Sequence, residues 1–208
     1  MMQWSCDKPK DLARGIVLFA LLLMLGLSAA GCSNLLSQAQ KADKAGDVKS
    51  AVALYQERLK EAPDDLAALR GLAVDLYMMS EFDEALPVQE KVVALDAKDS
   101  QTRVELGFNY LNHQDDAVKA VAVLGEAAAL EPAAKYLTFL AQAEIAAGEK
   151  QKAEETLRKA LAADSSYGHA YTVLVGLLEG QRRLAEASEL RDAAKSAGVT
   201  IEDGPGSS

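Results

Sequence analysis

The sequence is short of the residues that crosslink a chain, hold metals or stack in sheets. Cysteine occurs only at Cys6 and Cys32 among 208 residues, so no disulfide framework is available. His113 and His169 are the only histidines, and neither has a cysteine, histidine or carboxylate at metal-ligand spacing. No G-x-x-x-x-G-K loop is present to cradle phosphate, and nothing else calls for a cofactor. Lys and Arg form no cluster, and the net charge is −9; a body this acidic repels phosphate backbones and argues against nucleic-acid partners. Paired carboxylates such as Asp64-Asp65, Asp115-Asp116 and Glu154-Glu155 read as solvated surface, so no catalytic residue is assigned and the chain is not expected to be an enzyme.

What the sequence does have is aliphatic. Half of its residues are hydrophobic, chiefly Ala, Leu and Val, with only 5% aromatic. Such a composition suits closely packed helices, because Ala and Leu lose least on entering one. The order of these residues is periodic. Leu72, Leu106, Leu140 and Leu174 recur every 34 residues, each followed by a small or compact residue: Ala73, Gly107, Ala141 and Val175. A second track, Ala51, Ala85, Ala120, Ala153 and Ala187, keeps phase with the first at intervals of 34, 35, 33 and 34. Leu69, Leu72, Ala73 and Leu76 share one helical face, and Ala85, Val88, Val92 and Leu95 form a matching stripe on the next helix. Turn residues alternate between positions within hairpins (Gly46-Asp47, Ser80, Gln114-Asp115, Gly148-Glu149) and between them (Pro63-Asp64-Asp65, Ala97-Lys98-Asp99, Pro132, Ser165-Ser166). The spacing predicts five hairpins over 37–61, 66–95, 100–130, 134–163 and 168–196.

These two tracks resemble the tetratricopeptide repeat, whose 34-residue unit carries a Leu-Gly pair on its first helix and a small Ala on its second. The likeness spans about residues 35–197 and implies an all-α fold, a right-handed α-solenoid of about five hairpins. Some positions depart from the pattern: Gln89 occupies a usually aromatic slot, Glu144 a usually apolar one, Pro87 falls near a helix start, and Gln38 replaces a leucine. In the family, first helices line a groove that receives protein or peptide partners. Carried over, its positions are Arg70, Val74, Tyr77 and Met78; Gln101, Val104, Phe108, Leu111 and Asn112; and Lys135, Thr138, Gln142 and Ile145. Val74, Val104 and Glu105 stand where a carboxylate clamp would need other residues, so that variety is not expected. Arg182, Arg183, Glu186, Glu189, Arg191 and Asp192 give the last helix the polar exterior that an end unit requires.

The N-terminus carries a separate message. Lys8, Lys10 and Arg14 precede an uncharged stretch from Ile16 to Ala30, whose 15 residues fall short of the roughly 20 that a membrane-spanning helix needs. Ser28-Ala29-Ala30-Gly31-Cys32 follows and resembles the lipobox of bacterial lipoproteins, although Ala29 stands where Leu is usual and Asp7 and Asp11 dilute the positive region. The resemblance implies cleavage before Cys32, acylation of its sulfur, and anchoring to a lipid membrane. Of 22 basic and 31 acidic residues, three and two lie in 1–31, leaving the rest at −10. Ser33, by the family's sorting rules, implies the outer membrane facing the periplasm in a cell that has one, and otherwise the outer face of the cell membrane. The expected organisation is therefore a signal peptide over 1–31, a solenoid over 32–197 and a flexible tail over 198–208. The expected function is a tethered adaptor binding proteins in the cell envelope, resembling tetratricopeptide lipoproteins of Tad/Flp or type IV pilus or secretion-system assembly. The alternatives are an adaptor for envelope hydrolases and an uncleaved, signal-anchored form.

Overall fold

The computed structural model describes residues 34–201; residues 1–33 and 202–208, which include the expected signal peptide and Cys32, lie outside the described residues. Ten helices and no strand occur among the described residues. They are α1 (34–44), α2 (Val48–Glu61), α3 (Leu66–Met78), α4 (Phe82–Leu95), α5 (Ser100–Asn112), α6 (Ala117–Leu130), α7 (Ala134–Ala146), α8 (Lys150–Ala163), α9 (Gly168–Gly180) and α10 (Leu184–Ser196). Each expected hairpin is one pair of these, and the chain is already helical at 34, ahead of the expected start at 37. None of them is long and apolar enough to cross a membrane.

The turns repeat as regularly as the helices. Four first helices end with a left-handed residue, at Gly46 (φ 76°), Ser80 (φ 63°), Gly148 (φ 80°) and Arg182 (φ 61°). The following amide reaches back five residues, Asp47 N–H to the Ala42 carbonyl at 3.0 Å, Glu81 to Leu76 at 2.9 Å, Glu149 to Glu144 at 2.8 Å and Arg183 to Leu178 at 2.9 Å. This is the Schellman arrangement, which satisfies carbonyls that a helix end would otherwise leave bare. In the third hairpin Asp115 (φ 51°) takes the left-handed role, and one extra residue lengthens the loop so that Asp116 N–H bonds the Tyr110 carbonyl at 2.9 Å. That residue is the source of the single 35-residue interval in the alanine track. Aspartates start several helices: Asp47, Asp99 and Asp116 accept from the amides of Ser50, Thr102 and Lys119 at 3.2, 2.9 and 3.0 Å. Caps of this type are worth about 1 kcal/mol each.

The chain divides into two compact units, one ending at Asp75 and the other beginning at Leu76. In the first, Ala39 and Ala51 are fully buried and the Tyr55 ring lies over Gly71, where an added Cβ would come within 2.2 Å of it. Arg58 and Asp65 close the loop between α2 and α3 at 2.6 Å. The Tyr55 hydroxyl donates to Asp43 Oδ2 at 2.5 Å, joining α2 to α1. Asp75, on α3, is buried beside Asp43, and Asp43 Oδ1 and Asp75 Oδ2 are both buried without hydrogen-bond partners.

In the second unit each hairpin packs on the next, and α5, α7 and α9 also lie side by side. Ala120, Ala153 and Ala187 are wholly buried on the second helices of the packed pairs α5–α6, α7–α8 and α9–α10, and Ala85 on α4 is wholly buried too. Gly107 faces Leu124 so closely that a Cβ would sit 2.5 Å from its Cγ. One core gathers Val104, Leu106, Tyr110, Leu124 and Tyr136; another gathers Leu157, Leu174, Val175, Leu177 and Leu178. The packed chain runs past the expected boundary at 197. Gly198 (φ 73°) turns the chain, Val199 N–H bonds the Ala194 carbonyl at 2.9 Å, Val199 meets Gly168, and Ile201 packs on the second of these cores. Residues 198–201 therefore belong to the fold rather than to a tail.

The Asp43, Tyr55 and Asp75 trio makes stability depend on pH. Burial first, and then the carboxylate of Asp43 beside it, push Asp75 up to about 7. A folded-state value above the ordinary 3.8 means that the protonated acid favours folding. This contribution is full below the unfolded-state value and is lost as pH rises through about 7. Thermal unfolding of the full chain is expected to show Tm falling by roughly 5 °C between about pH 5 and 8. Asp75→Asn, which keeps a neutral donor there, removes that fall; an unchanged pH slope in the variant contradicts the assignment.

Candidate functional site

The face that the first helices present in the second unit is built from α5, α7 and α9. Phe108 on α5 and Phe139 on α7 meet edge to face, their centroids 4.8 Å apart. Lys135, one turn before Phe139, places its Nζ 5.8 Å from the centroids of both Phe139 and Tyr136. An ammonium over an aromatic face gains about 0.5–1 kcal/mol at an exposed site, enough to hold the side chain beside the rings. On α7 and α9, Gln142 and His169 lie 3.2 Å apart, Nε2 to Nε2. At the other end Gln101 donates to Glu105 Oε1 at 2.9 Å. Burial pushes the Glu105 carboxyl up, opposed by the Gln101 bond and aided by the charge of Asp99. The result is a strip with half-buried aromatic rings at its centre, a cation beside them, and amide, imidazole and carboxyl groups at its ends.

The expected groove residues divide among different environments. Phe108, Lys135 and Gln142 form the strip; Gln101 and Asn112 are exposed on α5. Val104 is 5% exposed and Thr138 wholly buried, its hydroxyl donating to the Ala134 carbonyl at 2.8 Å, so these two serve packing. Leu111 and Ile145 are half-buried against the cores. In the first unit, Arg70 is half-buried and Val74 exposed; in the second, Tyr77 is half-buried and Met78 is 68% exposed.

Three contributors were not anticipated. Phe139 follows a threonine and precedes a leucine, in a run that reads as core. His169 opens α9, a helix whose groove positions were not carried over. Arg103, which an exposed-charge pattern would place in solvent, is 5% exposed. Its Nη1 donates to the Asp96 and Asp99 carbonyls at 3.3 and 3.0 Å, and its Nε to Glu126 at 3.1 Å, fixing the loop that precedes α5. A second buried charge does similar work further along. Glu154, on α8, accepts both Arg183 nitrogens at 2.6 and 3.0 Å, and that guanidinium holds its carboxyl below the usual range. No group of three His, Cys, Asp or Glu able to hold a metal occurs among the described residues. His113 stacks face to face on Phe82, with centroids 3.3 Å apart.

Comparison with known proteins identifies the fold. No protein-family model and no curated protein matches the chain. Solved structures do. MamA from Desulfovibrio magneticus RS-1 is 18% identical over 80% of this chain and 94% of its own, with a TM-score of 0.73. YrrB, described as a TPR protein with an unusual peptide-binding site, is 15% identical over 78% of this chain and 84% of its own, with a TM-score of 0.69. TTC0263, a thermophilic TPR protein of Thermus thermophilus, is 24% identical over 79% of this chain and 90% of its own, at 0.54. The chain is thus an all-α helical repeat solenoid of the tetratricopeptide type.

Packing residues and strip residues should respond differently to truncation. Val104→Ala is expected to cost about 1–2 kcal/mol, whereas Gln101→Ala, at an exposed position, stays within about 0.5 kcal/mol. Chemical denaturation of both variants checks this, and equal costs would contradict the division made between them.

Proposed function

We propose that this chain is an adaptor tethered to a membrane of the cell envelope, acylated at Cys32 and binding a protein partner along the strip of α5, α7 and α9. The observation that carries the reading is the Phe108–Phe139 pair with Lys135 beside it. Apolar rings left half-open between rigid helices, rimmed by hydrogen-bonding groups, suit a helix or extended segment of another protein. Peptide binding by YrrB, a protein of like fold, supports this mode.

The tether rests on the sequence around Cys32, which lies outside the described residues. Several acyl chains, at about 0.8 kcal/mol per buried methylene, anchor stably where one chain does not. A scaffold bound in this way would hold its partner at the membrane surface, a role suited to ordering components of a pilus or secretion assembly. The strip would supply recognition and the lipid would supply place. Nothing in this account requires a reaction centre.

Two measurements test the two halves. Radiolabelled palmitate should enter the wild type and not Cys32→Ala; equal labelling would refute the anchor. Crosslinking in intact cells, followed by capture from detergent extract, should recover a partner with the wild type and lose it with a folded Phe108→Glu variant. An unchanged partner set would remove the strip from the account.

A further inference from the structure

A second surface, at the turn ends of α3, α4 and α5, has features that the strip does not use. Ser80, Glu81, Phe82, Asp83, Glu84 and His113 line an open cleft of about 370 Å³. Its aromatic wall is layered. His113 lies flat on Phe82, and Tyr77 meets both edge-on, at 5.1 and 6.3 Å between centroids. His113 is exposed, so this stack is open to solvent at the imidazole.

Around these rings the charge is of one sign. Glu81, Asp83 and Glu84 are exposed, and none of the three is in an ion pair among the described residues. Asp83 accepts only a neutral bond, from the Gln114 amide at 2.9 Å, and Glu81 does not use its side chain to cap α4. Asp115 follows on the next turn, and Asp116 after it is paired with Lys119 at 3.3 Å and adds nothing to this surplus; no Lys or Arg occurs between Arg70 and Lys91. Carboxylates at a helix start are stabilised by the dipole, which accounts for Asp83 and Glu84 individually. It does not account for an open aromatic stack set among uncompensated anions.

We propose that this cleft is a docking site for an arginine side chain on a basic segment of a partner protein. A guanidinium is flat and weakly hydrated, so it lies on an aromatic face and turns its edge to carboxylates at the same time. An ammonium does the second but not the first as well. The site is distinct from the strip of α5, α7 and α9, and gives that acidic scaffold a second means of selecting its partner.

Fluorescence anisotropy with the full-length protein in detergent micelles tests the proposal. The probe is a labelled, otherwise neutral peptide bearing two arginines, compared with its lysine and citrulline versions. The arginine peptide is expected to bind, the lysine version several-fold more weakly, and the citrulline version at least about 10-fold more weakly. Asp83→Asn with Glu84→Gln should weaken the arginine peptide by about 10-fold, and His113→Ala by about 5-fold. Glu155→Gln with Glu189→Gln removes the same charge elsewhere and should change binding less than about 2-fold. The proposal is overturned if the wild type does not bind, if citrulline binds as well as arginine, or if the two double variants weaken binding equally. The last outcome would mean attraction by net charge alone. Circular dichroism of each variant keeps loss of fold apart from loss of site.

Discussion

Everything in this structure depends on how closely the two helices of a hairpin approach. At the crossing the second helix presents a methyl group and nothing larger: Ala51, Ala120, Ala153 and Ala187 are all wholly buried. In the third hairpin the first helix answers in kind, with Gly107 pressed on Leu124, and between the first two hairpins Gly71 sits under the Tyr55 ring in the same way. Contacts this close lock the rotation and height of one helix against the other, because any slide brings a branched side chain into a space sized for a hydrogen or a methyl. The left-handed turn residues repeat with the alanines, at Gly46, Ser80, Asp115, Gly148 and Arg182. Turn and crossing are two ends of one constraint, and where the loop gains a residue, at Asp115-Asp116, the next alanine is displaced by one.

Because backbone geometry is set at those crossings, polar residues elsewhere in the interior are tolerated where they find partners. Gln89, in a slot that is usually aromatic, is wholly buried and accepts from Asn109 at 3.0 Å; Asn109 also donates to the Phe82 carbonyl at 2.9 Å. This bond couples the start of α4, and with it the Phe82 ring, to α5. Glu144, in a usually apolar slot, is wholly buried and pairs with Lys152 at 3.3 Å, joining α7 to α8. Lys152 in turn is held charged by Glu149 and Glu144. Such pairs add little net stability, since desolvation offsets attraction, but removing Lys152 would leave the buried Glu144 carboxylate without the charge that answers it. The repeat supplies the frame, and these departures give each hairpin its own identity.

The helices were legible in the sequence to within a residue at most ends, since the periodic apolar faces and the turn residues pointed the same way. The groove was legible only in part. Phe108, Lys135 and Gln142 reach the strip, but carrying positions over by spacing cannot register a helix's rotation against its neighbours, and so it misplaced Val104 and Thr138. Phe139 and His169 were missed for the same reason. The Asp43, Tyr55 and Asp75 contact joins residues 12 or more apart that no local pattern relates, and Arg103 is concealed because a buried arginine and a solvated one look alike in sequence. The tail was misjudged at its start: Val199 and Ile201 are apolar residues with a place to go, beside Gly168 and the core of α9.

A rigid frame with side chains free to vary on one face fits a protein that recognises others. If the close helix crossing is what holds this frame, the position where it occurs should be intolerant in a way its neighbours are not. Thermal and chemical unfolding of Ala120→Leu against Ala122→Leu measures this most directly, since both lie on α6 and only Ala122 is exposed. Leu and Ala differ little in helix propensity, so the account expects Ala120→Leu to lose about 1–3 kcal/mol and Ala122→Leu to stay within about 0.5 kcal/mol. Equal tolerance of leucine at the two positions would contradict it.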